Sequence, residues 1–381
     1  MRNPVMATQL PHPRLTMVIT ELDVGGAEKA FVKIAIGLKQ MGWQVNAVSL
    51  RDAGLLTAEL TSAGIPVEAL NCGGFLDFRA IFRLRSHLKK SPPTVLLSFL
   101  HQANIAGRLA ACGLSIPLVV SGVRVADIRP SVKWPERWTR CCVHKFIANS
   151  SHAAETHSRL CGIPMADFCA IPNGVDIQGI QQIQPIDRAE IGIDRGDVLF
   201  AFIGRLTTQK SPLAFLEAFL RMTREIPSCS AVLVGDGPMK QELNQFVEHH
   251  QLKSRVRMVG FRSDAIAILR AADALILPSV WEGMPNVVME AMAAGVPVIA
   301  SGVDGNRELL AGDLAKQTFA PNDPTALVEL MKATVEAKLA GDATVQELQL
   351  SVVKEFTWDR CVSAYDRILR QWLAPLDVYP D

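Results

Sequence analysis

Short runs of aliphatic and β-branched residues recur along the chain. Each is followed by a longer stretch whose apolar positions fall three and four residues apart. Leu15–Thr20, Val45–Leu50, Thr94–Phe99, Leu118–Ser121 and Lys145–Asn149 predict strands, with helices over Ala27–Met41, Ala80–Lys89 and Ala103–Cys112 between them. The series restarts with strands over Val198–Ile203, Ala231–Val234, Val256–Val259, Ala274–Leu277 and Val296–Ala300, interleaved with helices such as Pro212–Glu225 and Asn286–Ala294. Strands that are apolar throughout, rather than alternating, are covered on both faces, which is the condition of a parallel sheet between helical layers. The pattern therefore predicts an α/β chain with two doubly wound domains in series. Between them the turn Ile171-Pro-Asn-Gly-Val-Asp176 and a polar stretch to Gly196 mark a linker. The expected domains are 1–185 and 186–356, with 357–381 holding a last helix, Trp358–Trp372. In such sheets ligands collect beyond the carboxyl ends of the strands, so a cleft on which both domains face is the expected site.

Composition narrows this picture. A length of 381 residues suits two domains, and 49% hydrophobic with 20% charged residues excludes an intrinsically disordered chain. No apolar run approaches the ~18–20 residues that cross a bilayer. Met1–Pro13 lacks a cationic region followed by an apolar one, so no signal peptide is expected and the setting is cytoplasmic. The eight cysteines include no C-x-x-C pair and read as reduced thiols. His152, His157 and Cys161 match no zinc spacing and read as a helix surface. Charge is uneven. Met1–Pro185 holds 19 basic and 12 acidic residues, net +7, and the remainder 20 and 26, net −6. The first half is thus suited to an anionic partner.

The chemistry concentrates in Leu277-Pro-Ser-Val-Trp-Glu-Gly-Met-Pro-Asn-Val-Val-Met-Glu290. A strand ends near Pro278, a loop carries Glu282, Gly283 and Met284, and a helix opens at Pro285, a residue suited to a first helical turn. The amides near Asn286, Val287 and Val288 then form an anion site through unpaired N–H groups and the helix dipole. Two carboxylates, Glu282 and Glu290, would repel a phosphate-only ligand. They fit a ligand that flanks a diphosphate with hydroxyls, because carboxylate-to-hydroxyl bonds are charge-assisted. Upstream, Ala201-Phe-Ile-Gly-Arg-Leu-Thr-Thr-Gln-Lys210 delivers Gly204 and Arg205 from a strand end, with Lys210 just before the next helix. An arginine fork and a mobile ammonium would stabilise a departing diphosphate. Val234-Gly-Asp-Gly-Pro238 is a third strand-to-helix turn. Gly25-Gly26-Ala27-Glu28 is a fourth; it is not a G-x-G-x-x-G fingerprint, and it reads either as close backbone approach to phosphate or as a plain tight turn.

Taken together these strings resemble a family 4 (group 1) retaining glycosyltransferase of the GT-B fold. The resemblance runs from about Thr16 to Trp372. It rests on GGAE, on Gly204-Arg205 with Lys210, on GDGP and most specifically on the E-x7-E segment. It implies two Rossmann-like domains with a C-terminal helix crossing back to the first. It also implies donor-sugar contacts from Glu282, ribose contacts from Glu290 and diphosphate contacts from Arg205 and Lys210. Backbone near Phe261 and Arg262 would border the base, and Gly26 would approach the phosphates. The donor would be a UDP- or GDP-linked sugar and no separate cofactor is implied. No D-x-D occurs in the chain, so metal-free transfer is expected, with same-face substitution at an oxocarbenium-like centre. The expected acceptor is a saccharide or a lipid-linked one, in cell-surface polysaccharide or glycolipid assembly. Two other classes fit the same residues: an epimerase acting on sugar nucleotides, and a noncatalytic sugar-nucleotide-binding protein.

Two departures from the family bear on the first domain and the sugar pocket. Where many relatives carry a histidine after the strand written Pro117–Arg124, this chain has Arg124, which acts by charge or hydrogen bonding and not as a base. His101, in Ser98-Phe-Leu-His-Gln-Ala-Asn104, is then the nearest titratable group for acceptor contact, or a structural strand-end histidine. Asp304 stands where relatives often have glycine, at the expected floor of the sugar pocket. Finally, Arg79–Lys90 is basic along one helical side. Trp134 and Trp138 interleave with Lys133, Arg137, Arg140 and Lys145 over Trp134–Lys145. Both stretches suit peripheral docking on anionic lipid at the inner face of the membrane, or solvated helix faces. No nucleic-acid module accompanies them.

Overall fold

The computed structural model describes residues 12–73, 77–124 and 130–374. The chain divides into two compact units. Residues up to Gly174 join the segment from Trp358 in one, and Val175–Thr357 form the other.

The first unit is built on seven parallel strands: β1 (Arg14–Ile19), β2 (Gln44–Ser49), β3 (Val67–Ala69), β4 (Val95–Phe99), β5 (Leu118–Val123), β6 (Lys145–Ala148) and β7 (Phe168–Ala170). Their order is β3-β2-β1-β4-β5-β6-β7, so the winding reverses between β1 and β4. The strand pleat sends alternate residues to opposite faces. Leu15, Met17 and Ile19 pack against the helix Gly26–Gln40, whereas Val18 packs against Leu84 and Leu88 of Arg79–Lys90 and Ala103, Ala106 and Ala110 of His101–Ala111. The last helix, Trp358–Leu373, returns to this unit as expected. Its Cys361, Val362, Tyr365, Leu369 and Leu373 join the core of Leu15 and Phe31. Close approach requires Gly37, where an added Cβ would stand 2.5 Å from Val362 Cγ2. Trp43 Nε1 donates to Asp366 at 2.7 Å on the same seam.

The second unit holds six parallel strands: β8 (Val198–Ile203), β9 (Cys229–Val234), β10 (Val256–Gly260), β11 (Ala274–Leu277), β12 (Val298–Ser301) and β13 (Thr318–Phe319), in the order β10-β9-β8-β11-β12-β13. Its reversal lies between β8 and β11. The predicted α/β class and the ten predicted strands are present. The strands β3, β7 and β13, two at a sheet edge in the first unit and one at an edge in the second, are two or three residues long and carried too short a run to announce them.

The division between units falls at Gly174, inside the turn Ile171-Pro-Asn-Gly-Val-Asp176 with which the predicted linker opens. Val175 N–H donates to Phe356 O at 2.8 Å and bridges Thr357, so the two crossings lie side by side. The helix Ile177–Gln182 then packs Ile180 into the second core, and Gln181 Nε2 donates to Ala293 O at 3.2 Å.

Candidate active site

In the second unit the loops after β8, β9, β10, β11 and β12 gather at the carboxyl ends of the strands, around the point where the winding reverses. That is where open α/β sheets bind ligands. The loop after β8 places Gly204 and Arg205 at the strand end, with Arg205 exposed, and reaches Lys210 before the helix Pro212–Met222. The GDGP turn packs directly on this loop. Gly235 has φ 137°, and a Cβ there would lie 1.9 Å from Gly204 O, so backbone contact excludes any side chain. Leu206 N–H donates to Asp236 O at 2.9 Å and Met239 N–H to Leu206 O at 3.0 Å.

The loop after β11 is stitched to the one after β8. Val280 N–H donates to Gln209 O at 2.8 Å, and Gln209 Nε2 donates to Trp281 O at 3.1 Å. This brings Lys210 Nζ to 2.6 Å from Glu282 Oε1. The same oxygen accepts from Ser279 Oγ at 2.5 Å. The pair is mostly removed from water, with side chains 15% and 6% exposed for Lys210 and Glu282. Ser279 is itself fixed, because Ser301 Oγ donates to its carbonyl and Asn306 Nδ2 donates to Ser301 O at 2.8 Å. Gly283 lies under Gly305, where a Cβ would come within 1.8 Å of Gly283 O. The side chain of Asp304 lies outside the described residues. Met284 is buried, and Pro285 caps the helix Asn286–Ala294 without a side chain able to bond its first amides, those of Asn286 and Val287. Glu290 is half-buried one turn into that helix. At the end of β10, Phe261 is exposed and Arg262 forks onto Asp264 at 2.8 and 2.7 Å.

This arrangement joins a helix amino end, a buried carboxylate and a cation already leaning on it. An ammonium held by a carboxylate can be drawn to a stronger anion when one arrives, which frees the carboxylate for hydroxyls. Ser279 and Gln209 were missed from sequence. Ser279 lies three residues before Glu282, but nothing in its type marks it.

In the first unit, Gly26 opens the helix Gly26–Gln40 beyond β1. His101 opens His101–Ala111 beyond β4, after Leu100, whose φ of 73° is unusual for a side-chain-bearing residue. His101 Nδ1 stands 3.1 Å from Glu136 Oε1. Arg124, expected beside the donor, is buried and occupied. Its Nη1 donates to Asn173 Oδ1 at 2.8 Å, its Nη2 to Tyr365 OH at 2.7 Å, and its guanidinium sits 4.1 Å from the Phe99 ring centroid. The bond to Tyr365 ties Arg124 to the C-terminal helix. Burial pushes the Tyr365 hydroxyl well above its ordinary range, with Arg124 opposing, so it stays protonated. Of the set His152, His157 and Cys161, only His152 lies on the helix surface expected. His157 and Cys161 are buried, His157 Nε2 faces Glu136 at 3.6 Å, and burial pushes the Cys161 thiol up to about 11. Among the described residues no group of three or more His, Cys, Asp or Glu is placed to hold a metal.

Two parallel, doubly wound units, with a C-terminal helix returning to the first, are those of the GT-B fold, and the family models matched over both units make the chain a glycosyltransferase. Its second unit matches the model "Glycosyl transferases group 1" over residues 183–344, and its first matches "Glycosyltransferase Family 4" over residues 24–178. Among curated proteins it is 28% identical over 289 residues to the UDP-Gal:alpha-D-GlcNAc-diphosphoundecaprenol alpha-1,3-galactosyltransferase of Escherichia coli, covering 72% of this chain and 75% of that one. It is 27% identical over 320 residues to the GalNAc-alpha-(1->4)-GalNAc-alpha-(1->3)-diNAcBac-PP-undecaprenol alpha-1,4-N-acetyl-D-galactosaminyltransferase of Campylobacter jejuni, covering 78% of this chain and 82% of the relative. In fold it is similar to Anabaena HepE, solved with UDP and glucose, at a TM-score of 0.82 and 20% identity over 94% of this chain and all of that one.

Proposed function

We propose that this protein transfers a sugar from a UDP- or GDP-linked donor, with retention and without metal, to a saccharide or lipid-linked acceptor in cell-surface polysaccharide or glycolipid assembly. The observation that carries the reading is the Lys210–Glu282–Ser279 cluster beside the amino end of Asn286–Ala294. Arg205, Lys210 and the helix amides would receive the diphosphate, and Glu282 the sugar hydroxyls. Glu290 would hold the ribose diol. Positive groups placed where the leaving diphosphate gains charge lower the barrier without a metal ion.

The acceptor class is supported by the diphosphoundecaprenol-linked substrates named for the two bacterial relatives. It is also supported by one face of the first unit. There the helices Arg79–Lys90, His101–Ala111 and Pro130–Thr139 lie side by side. They expose Phe78, Phe82, Leu109, Trp134 and Trp138, with Trp138 73% accessible. Arg79, Lys89, Lys90 and Arg137 are exposed as well, although Arg83, Arg85 and Arg140 spend their guanidinium groups on backbone carbonyls. Aromatic rings with surrounding cations suit the interface of an anionic bilayer on the cytoplasmic side.

The test is product analysis with chelator present, using undecaprenol- or short-chain diphosphate-linked sugars and a panel of UDP and GDP sugars. The expected product is a new glycosidic bond with the donor's anomeric configuration. Isomerised nucleotide sugar without transfer, or no turnover of any donor, would overturn the reading.

A further inference from the structure

Two donors of different mobility meet on one oxygen of Glu282. Lys210 Nζ lies 2.6 Å and Ser279 Oγ 2.5 Å from Glu282 Oε1. Lys210 arrives from the loop after β8 on a flexible stem and keeps part of its side chain open to water. Ser279 stands two residues past the end of β11 and is fully buried. It is tied to the sheet itself. Its carbonyl accepts from the hydroxyl of Ser301, the last residue of β12, and β12 pairs with β11. The Ser301 carbonyl in turn accepts from Asn306 Nδ2 and from Val303 N–H, each at 2.8 Å. Ser301 and Asn306 are fully buried as well. Gly302 N–H donates to Phe319 O at 2.7 Å and fastens the same segment to β13.

The two donors therefore differ in what can remove them. A serine hydroxyl carries no charge, so an arriving phosphate draws it far less than it draws an ammonium. A carboxylate taken out of water is costly to leave without partners. Once the ammonium moves to a diphosphate, Ser279 is the donor that stays on Oε1. Its backbone is fixed by the run of buried bonds from Asn306 through Ser301, so it stays where the sheet puts it.

We propose that Ser279 is a positioning residue that holds Glu282 in place for the donor sugar while Lys210 passes to the diphosphate. The inference rests on the glycosyl-transfer reading above and adds an order of contacts to it. The diphosphate takes the movable partner of Glu282, and the fixed partner keeps the carboxylate where the sugar hydroxyls meet it. Ser301 and Asn306 act through Ser279 by holding its backbone. Without the serine hydroxyl, release of Lys210 costs more and the carboxylate loses its reference point, so the sugar-bearing ligand suffers twice and the bare diphosphate once.

The experiment compares S279A, E282A and the double variant in the full chain. Each is titrated calorimetrically with the UDP or GDP sugar that wild-type protein turns over, and with the parent diphosphate. S279A is expected to weaken the nucleotide sugar about tenfold or more, the size of one hydrogen bond to a charged group, and the parent diphosphate by less. In the E282A background S279A should add nothing further for either ligand. Unchanged affinities, equal losses on the two ligands, or an undiminished loss in the E282A background would overturn the proposal while leaving glycosyl transfer intact. Failure of wild-type protein to turn over any donor would instead strike the reading beneath it. Should S279A not fold, S279C, which keeps the side chain's place with a weaker donor, decides by the same comparison.

Discussion

Among the described residues, Arg108 pairs with Glu136 in the first unit and Lys210 with Glu282 in the second, and the two pairs are built differently. Lys210 and Glu282 come from two loops, with the lysine on a flexible stem and 15% of its side chain open to solvent. Arg108 and Glu136 come from two helices, are essentially sealed, and use a rigid guanidinium braced by Ser121 and Thr139. A cation that must change partners belongs on a loop as a mobile point charge, and one that must never move belongs on helices as a fork. The difference assigns the first pair to ligand exchange and the second to framework.

The comparison can be broken most forcefully at the sealed pair. Glu136→Ala leaves Arg108 buried without its partner, and such losses run to about 3–5 kcal/mol. Urea unfolding should show a loss of that order, whereas Glu282→Ala, whose lysine can swing to water, should lose much less. Similar losses for both would erase the distinction. Next in size is the bond between Arg124 and the C-terminal helix. Tyr365→Phe removes the acceptor for Arg124 Nη2 and should cost about 1–3 kcal/mol, seen as a lowered Tm.

A smaller effect concerns pH. The folded Glu136 carboxyl lies below its ordinary value of 4.5, so its contribution is present above about that pH and fades as pH falls below it. Acid unfolding of wild-type protein should therefore be steeper below pH 4.5 than that of Glu136→Gln. Superimposable acid limbs would show that the carboxylate is not held as described.

The second unit was the more legible from sequence because its chemistry is local. Strand, loop and helix amino end follow one another between Leu277 and Glu290, and residue type alone places Glu282 before the helix and Glu290 within it. The seam between loops was not legible. Gln209 and Ser279 are ordinary polar residues, and only the folded loops show that they clamp Trp281 and Glu282. In the first unit the relevant partners are separated in sequence. Glu136 meets His101 across 35 positions, and Arg124 meets Tyr365 across 241, distances at which no spacing rule operates. Arg124 therefore read as a site residue with nothing in the sequence to announce its bonds to Asn173 and Tyr365. The short strands β3, β7 and β13 escaped for another reason: two or three residues are too few for periodicity to register.

The most direct measurement is a calorimetric titration of UDP and GDP, in chelator, onto wild-type protein and Lys210→Met. If Lys210 leaves Glu282 to hold the donor diphosphate, one of the nucleotides binds wild-type protein without metal. The substitution should then weaken that binding by about tenfold or more, the value of one charge-assisted contact. Equal affinity in the two proteins, or binding only when a divalent cation is restored, would contradict the account.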